Sequence, residues 1–127
     1  MDSEQASRLR QEASRLIAER RGIEGELVGR HRLVRGSLLE RPRFCGKAGC
    51  KCGRGEPHPP SLYLSHLVDG VPRHIFIKAV DHGRARREAL AYKAFRQALR
   101  RWRAISKALN QLWEDLGEAQ EESYPFE

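Results

Sequence analysis

No stretch of this sequence approaches the roughly 20 consecutive apolar residues that a membrane-spanning helix needs. The first residues, MDSEQASRLRQEASRLIAER, are charged throughout and lack the apolar core of a signal peptide. Both absences lead to the expectation of a cytoplasmic protein with no membrane partner. Aromatics make up only 7% of the 127 residues, and the chain is 39% hydrophobic against 32% charged. That excludes a large core and leaves one small domain with helical extensions, of a kind that often needs a metal, a disulfide or a partner subunit. Cysteine is scarce as well. Three is an odd number, so a closed set of disulfides within one chain is excluded, and in a reducing compartment the thiols stay reduced. No glycine-rich phosphate loop precedes a helix, and no nucleophile, base and orienting group form a pattern. The protein is therefore expected not to be an enzyme. Helix-turn-helix and C2H2 finger patterns are missing too, which argues against base-specific reading of DNA.

Positive charge is present in excess. The formal charge is +7 and the pI about 9.8, a balance that favours anionic partners, nucleic acid first. The charge is segregated. Residues 30–54 carry eight Lys or Arg against Glu40, and residues 84–107 carry nine against Glu88, whereas residues 108–127 carry six acids and no base.

The pattern predicts an α+β fold: a small zinc-stapled β-hairpin head with a long C-terminal helix and an N-terminal helix. Ala6, Leu9, Ala13, Leu16 and Ile17 recur at helical spacing, giving a helix over 3–21 within an N-terminal extension, 1–29; Gly22 and Gly25 interrupt it. The following ELVGRHRLV fits helix or strand equally. In the head, 30–80, GSLLERPRF reads as a short strand or arm that Pro42 keeps at an edge or ends. SLYLSHLV and VPRHIFI flank Asp69-Gly70, a favoured two-residue hairpin turn. A long amphipathic helix then covers 81–120, with Asp81 as N-cap. Tyr92, Phe95, Leu99, Trp102, Leu109, Trp113 and Leu116 form its seam, with Ala91, Ala98, Ile105 and Leu112 beside it. This stripe fits the N-terminal helix, the hairpin or a second copy. Residues 121–127 read as a disordered tail.

All three cysteines fall in FCGKAGCKCGRGEPH. The spacing C-x4-C-x-C-x5-H, from Cys45, Cys50, Cys52 and His58, supplies a complete tetrahedral set for zinc, with no position left for a reactive water. The site is therefore structural. Gly46, Gly49, Gly53 and Gly55 permit the tight turns that such a loop needs. Lys47, Lys51 and Arg54 stand beside the thiols and would lower their pKa values. An iron–sulfur cluster takes four thiolates, one more than the chain has. The fourth ligand is open on spacing alone: P-H-P-P fixes His58 at the mouth of the loop, and His66 and His74 lie on the hairpin that follows.

The stretch RGSLLERPRFCGKAGCKCGRGEPHPPSLYLS resembles the signature of a small bacterial domain family without an assigned activity: a G-S-L/V arm, C-G-K-x-x-C-x-C, H-x-P and a Y-L-S strand. The resemblance covers about residues 35–110, departs from the pattern at Pro42 and Pro59, and favours His58 as the fourth ligand. It places Gly36, Ser37, Arg41, Tyr63 and Ser65 around the cluster, and it implies association with mobile elements and transposase-type genes.

The expected function is that of a zinc-stabilised nucleic-acid-binding accessory protein, with DNA favoured over RNA. Its phosphate contacts would come from Arg41, Arg43, Lys47, Lys51 and Arg54 around the loop and from Arg84, Arg86, Arg87, Arg96, Arg100, Arg101 and Arg103 along the helix. Aromatics are sparse in these basic segments, which argues against a single-strand stacking platform. The alternative is a helical dimerisation or adaptor protein docking on a recombinase- or nuclease-type enzyme, with zinc as a staple only.

Overall fold

Apolar residues spaced at three and four make a helix only where something covers them, and both predicted helices find cover. The computed structural model describes residues 3–56 and 58–122. Helix α1 spans Ser3–Val28, strands β1 (Ser37–Arg43), β2 (His58–Val68) and β3 (Val71–Ile77) follow, and helix α2 spans His82–Gln120. Short 3-10 turns lie at Lys51–Arg54 and Ala79–Asp81. The α+β architecture is as expected from the sequence. Among the described residues no helix is long and apolar enough to cross a membrane. Pro57 and residues 123–127 lie outside the described residues, and most of the expected disordered tail with them.

The chain divides into two units, one of residues 1–30 with 95–127, the other of residues 31–94. In the first, α1 runs antiparallel to the later part of α2. Arg10 donates to Gln120 near one end, while Glu19 accepts from Arg101 and Glu24 from the Trp102 indole towards the other. Ala13, Leu16, Ile105 and Leu109 form the buried cluster, with Ile17, Ile23 and Leu112 packed against it. Two expectations change here. Helix α1 does not stop at Gly22. It continues through both glycines because Ile23 joins the core and Glu24 is held by Trp102, which offsets the roughly 1 kcal/mol that each helical glycine costs relative to alanine. The seam of α2 is also rotated from the predicted one. Ala98, Ile105 and Leu109 are buried, while Trp113 is 46% exposed. Ala13 and Leu16 of α1 meet the row that holds Ile105 and Leu109. Trp102 sits at the margin, with the Arg20 guanidinium 5.9 Å from its ring centroid.

In the second unit the strands form one antiparallel sheet in the order β1-β2-β3. Val68 pairs with Val71 across Asp69-Gly70, and both turn residues take positive φ, at 51° and 79°. That is the twist a two-residue hairpin loop requires. The register of β1 on β2 breaks between Arg41 and Arg43, at Pro42, which has no N–H to give the ladder. Strand β2 begins earlier than predicted: His58 already pairs with Arg43, so Pro59 and Pro60 belong to the strand. Leu62 and Leu64 are buried on one sheet face. The start of α2 is tied to this unit by the Val34 amide donating to the Glu88 carbonyl at 3.1 Å and by an Arg86–Glu40 ion pair. Asp81 immediately precedes α2 and pairs with Arg84 at 3.5 Å.

Gly36 enters β1 at a φ of +128°, and a Cβ there would stand 2.5 Å from the Ser65 carbonyl oxygen. Gly36→Ala is therefore expected to destabilise this unit by about 1–3 kcal/mol. Gly117→Ala, in α2 with no atom beyond its own stretch of helix backbone within 4 Å of the added carbon, is expected to gain up to about 1 kcal/mol. Urea unfolding of both variants checks the pair, and equal effects would refute the backbone argument.

Candidate metal centre

The cysteine loop leaves β1 at Arg43 and returns as β2 at His58, so the sheet register itself brings the two ends of the loop together. Between them the chain turns at Gly46, Gly49 and Gly55, which take positive φ. Gly53, expected to do the same, lies instead in the 3-10 turn at Lys51–Arg54. That turn carries Cys52 inwards, where it is 2% exposed and the most buried of the three thiols.

The Sγ atoms of Cys45, Cys50 and Cys52 and a ring nitrogen of His58 all lie within 4.8 Å of one another. Cys45 Sγ is 3.4 Å from Cys52 Sγ, and Cys50 Sγ is 3.4 Å from His58 Nε2. A tetrahedron with metal–sulfur bonds of about 2.3 Å puts its sulfurs about 3.8 Å apart, so the donor set fits one ion of zinc-like size. All three cysteines are free, and 3.4 Å is far beyond a disulfide bond of about 2.05 Å. The four residues can thus hold a metal ion and staple the start of the hairpin. His58 is the histidine in this group. His74 instead meets the Arg41 guanidinium at 3.0 Å, and His66 Nδ1 is buried without a partner among the described residues.

Electrostatics within the loop come from its own backbone. The Cys45 amide donates to Cys52 Sγ at 3.4 Å. This hydrogen bond, outweighing burial and reinforced by the neighbouring thiols and the Gly46 amide, holds the Cys52 thiol below its ordinary pKa. The Cys52 amide pulls on Cys50 in the same direction, but the thiols of Cys52 and Cys45, together with burial, outweigh it and push Cys50 up. The expected lowering by Lys47, Lys51 and Arg54 is not the cause at either sulfur: amides and thiols are in contact with the sulfurs, while those cations point to solvent.

The other predicted site residues are distributed as follows. Arg43, Lys47, Lys51 and Arg54 are exposed on the loop or its flanks. Arg41 lies across the sheet, its guanidinium 5.5 Å from the Tyr63 ring centroid. Three helix arginines are ion-paired within the chain: Arg84 with Asp81, Arg86 with Glu40 and Arg101 with Glu19. Arg87, Arg96, Arg100 and Arg103 are exposed. Phe76, outside the residues expected to form the site, packs edge-on against Tyr63 with centroids 5.7 Å apart. The i, i+2 alternation of the two hairpin strands would have placed both rings on one face.

No curated protein and no solved structure shows significant similarity to the chain. One family does match, over residues 4–87, a span that takes in α1, the whole sheet, the cysteine loop and the first turn of α2. The N-terminal helix, outside the resemblance seen in the sequence, is thus inside the match, and α2 beyond residue 87 is outside it. The chain belongs to the family described as Domain of unknown function (DUF6788).

Proposed function

We propose that the protein is a non-catalytic nucleic-acid-binding accessory factor, with DNA preferred to RNA, whose Cys45–Cys50–Cys52–His58 cluster holds a structural zinc ion. One observation carries this reading. The loop built around the cluster presents Arg43, Lys47, Lys51 and Arg54 to solvent, and none of them has an ion-pair partner among the described residues. Three thiolates and a neutral imidazole around zinc leave a net charge of about −1, small beside those four cations. Four protein ligands fill a tetrahedral shell, which supports a structural role over a catalytic one. On the helix, Arg84, Arg86 and Arg101 are partly neutralised by their ion pairs, so the phosphate contacts concentrate on the loop, with Arg87, Arg96, Arg100 and Arg103 as further cations. Nothing in this arrangement reads base edges, and affinity without sequence preference follows. The link to mobile elements implied by the sequence signature suits such a factor, since a recombining DNA segment is bound wherever it lies.

The test is binding to a random DNA duplex across a salt series. Log affinity should fall linearly with log salt, and Lys51→Ala/Arg54→Ala should reduce the slope by about 2, one for each lost phosphate contact. Absence of binding at low salt sinks the reading.

A further inference from the structure

The outer face of the sheet carries a group that neither the metal cluster nor the basic loop uses. Leu62 and Leu64 of β2 are buried, so Tyr63, Ser65 and Leu67 face the other way. The register sets Tyr63 between Leu39 of β1 and Phe76 of β3. The two rings meet edge to face at an interplanar angle of 66°. The Arg41 guanidinium covers Tyr63 and reaches on to His74 Nδ1. Phe76 is 58% exposed and Leu67 65%, and Arg41 and His74 are exposed as well. Two neighbouring aromatic rings, a guanidinium and an imidazole thus share one open surface, drawn from positions 41, 63, 74 and 76.

We propose that this face is a stacking platform for single-stranded DNA, an inference that rests on the nucleic-acid reading above; its rings lie on β2 and β3, outside the basic segments whose scarcity of aromatics argues against such a platform there. Exposed aromatic rings on an antiparallel sheet offer π-faces to unstacked bases of any identity. Phe76 receives one base. A second base takes the place of Arg41 over Tyr63, and the released guanidinium turns to a phosphate. Charge complementarity selects this partner. At the Arg41 end of the platform β1 and β2 lead directly into the loop that bears Arg43, Lys47, Lys51 and Arg54, so a backbone leaving the stacked bases there meets cations. Leu39 and Leu67 flank the rings with apolar surface, which suits deoxyribose better than a sugar carrying a 2′-hydroxyl.

The experiment uses the full-length, metal-loaded protein and a fluorescein-labelled oligothymidylate of about 15 nucleotides, long enough to fill both stacking positions and reach the cations of the loop. Phe76→Ala should weaken binding by about tenfold, the loss expected for one stacked base. The same variant should change affinity for a duplex by less than about twofold, since phosphate contacts carry that binding. Phe76→Trp should retain single-strand affinity. Circular dichroism and metal content equal to wild type establish that each variant is folded. Single-strand affinity unmoved by Phe76→Ala, with duplex and single strand both bound, overturns the platform and leaves the basic-loop reading standing. No binding to either form overturns both. Tighter binding to oligouridylate with the same sensitivity to Phe76→Ala overturns the assignment to DNA.

Discussion

Stripping the metal, or replacing Cys52 by serine, is expected to unfold the sheet-bearing unit while the paired helices remain. The reason lies in the size of its core. Among the described residues of the unit spanning 31–94, the buried apolar side chains are Leu62, Leu64 and Ala89, together with Cys52 itself. Two leucines and an alanine are a small core for a unit of this length, and such units often depend on a metal or other staple. A structural zinc ion in a small domain supplies about 10–16 kcal/mol of apparent binding free energy, which becomes folding free energy when the unfolded chain cannot bind it. Hydrogen exchange after chelation should therefore show loss of protection across β1, β2 and β3 and retained protection in α1 and in α2 beyond residue 95. Adding zinc to the stripped protein should restore the sheet with a single ion per chain. Unchanged metal content and melting in Cys52→Ser would refute the ligand assignment. Because Cys52 is buried and its replacement can disturb packing by itself, recovery on zinc addition to the unmutated chain is the decisive arm.

Truncating Leu109 to alanine should cost about 2–5 kcal/mol, the range for a large aliphatic side chain removed from a core that relaxes only in part. Leu109 and Ile105 are each 1% exposed and sit in the cluster with Ala13 and Leu16. With alanine on the facing helix, little can move in to fill the space. Trp113→Ala removes more atoms but from a half-exposed site, so its cost should be the smaller of the two. Urea unfolding followed by far-UV circular dichroism, with exchange of the α1 amides as a local probe, gives both values. A larger loss for Trp113 than for Leu109 would contradict the placement of Leu109 at the centre of the core and Trp113 at its margin.

The rotated seam shows what periodicity leaves out. The heptad-like run from Tyr92 to Leu116 identifies a helix with an apolar side, and that much holds. Which of two adjacent rows becomes the centre depends on the facing surface, and Ala13 and Leu16 of α1 pack against the row with Ile105. The end of α1 follows the same logic. Gly22 and Gly25 lower local helix propensity, but Ile23 gains a core and Glu24 a partner, and those gains are invisible until α2 is in place. Several features were legible directly. Asp69-Gly70 between two alternating runs fixes the hairpin because few residues tolerate the positive φ that both turn positions need. The crowding of three thiols and a histidine within one loop marks a candidate metal site because so short a chain segment cannot carry its donors far apart.

Sequence alone determined those features whose causes are local: the two helices, the hairpin turn, the three clustered thiols of the candidate metal centre and the concentration of positive charge. Tertiary structure decided what depends on distant chain segments meeting. Pairing of His58 with Arg43 closes the loop and singles out His58 over His66 and His74. The pairing of β1 with β2 brings Arg41, from the other side of the cysteine loop, onto the face that Tyr63, His74 and Phe76 share on the hairpin. Ion pairs with Glu40 and Glu19 withdraw Arg86 and Arg101 from the free positive surface. The physical reason is common to all three. A side chain's type and spacing are written in the sequence, but its neighbours across strands and between helices, and hence its exposure and partner, are set only by how the chain packs.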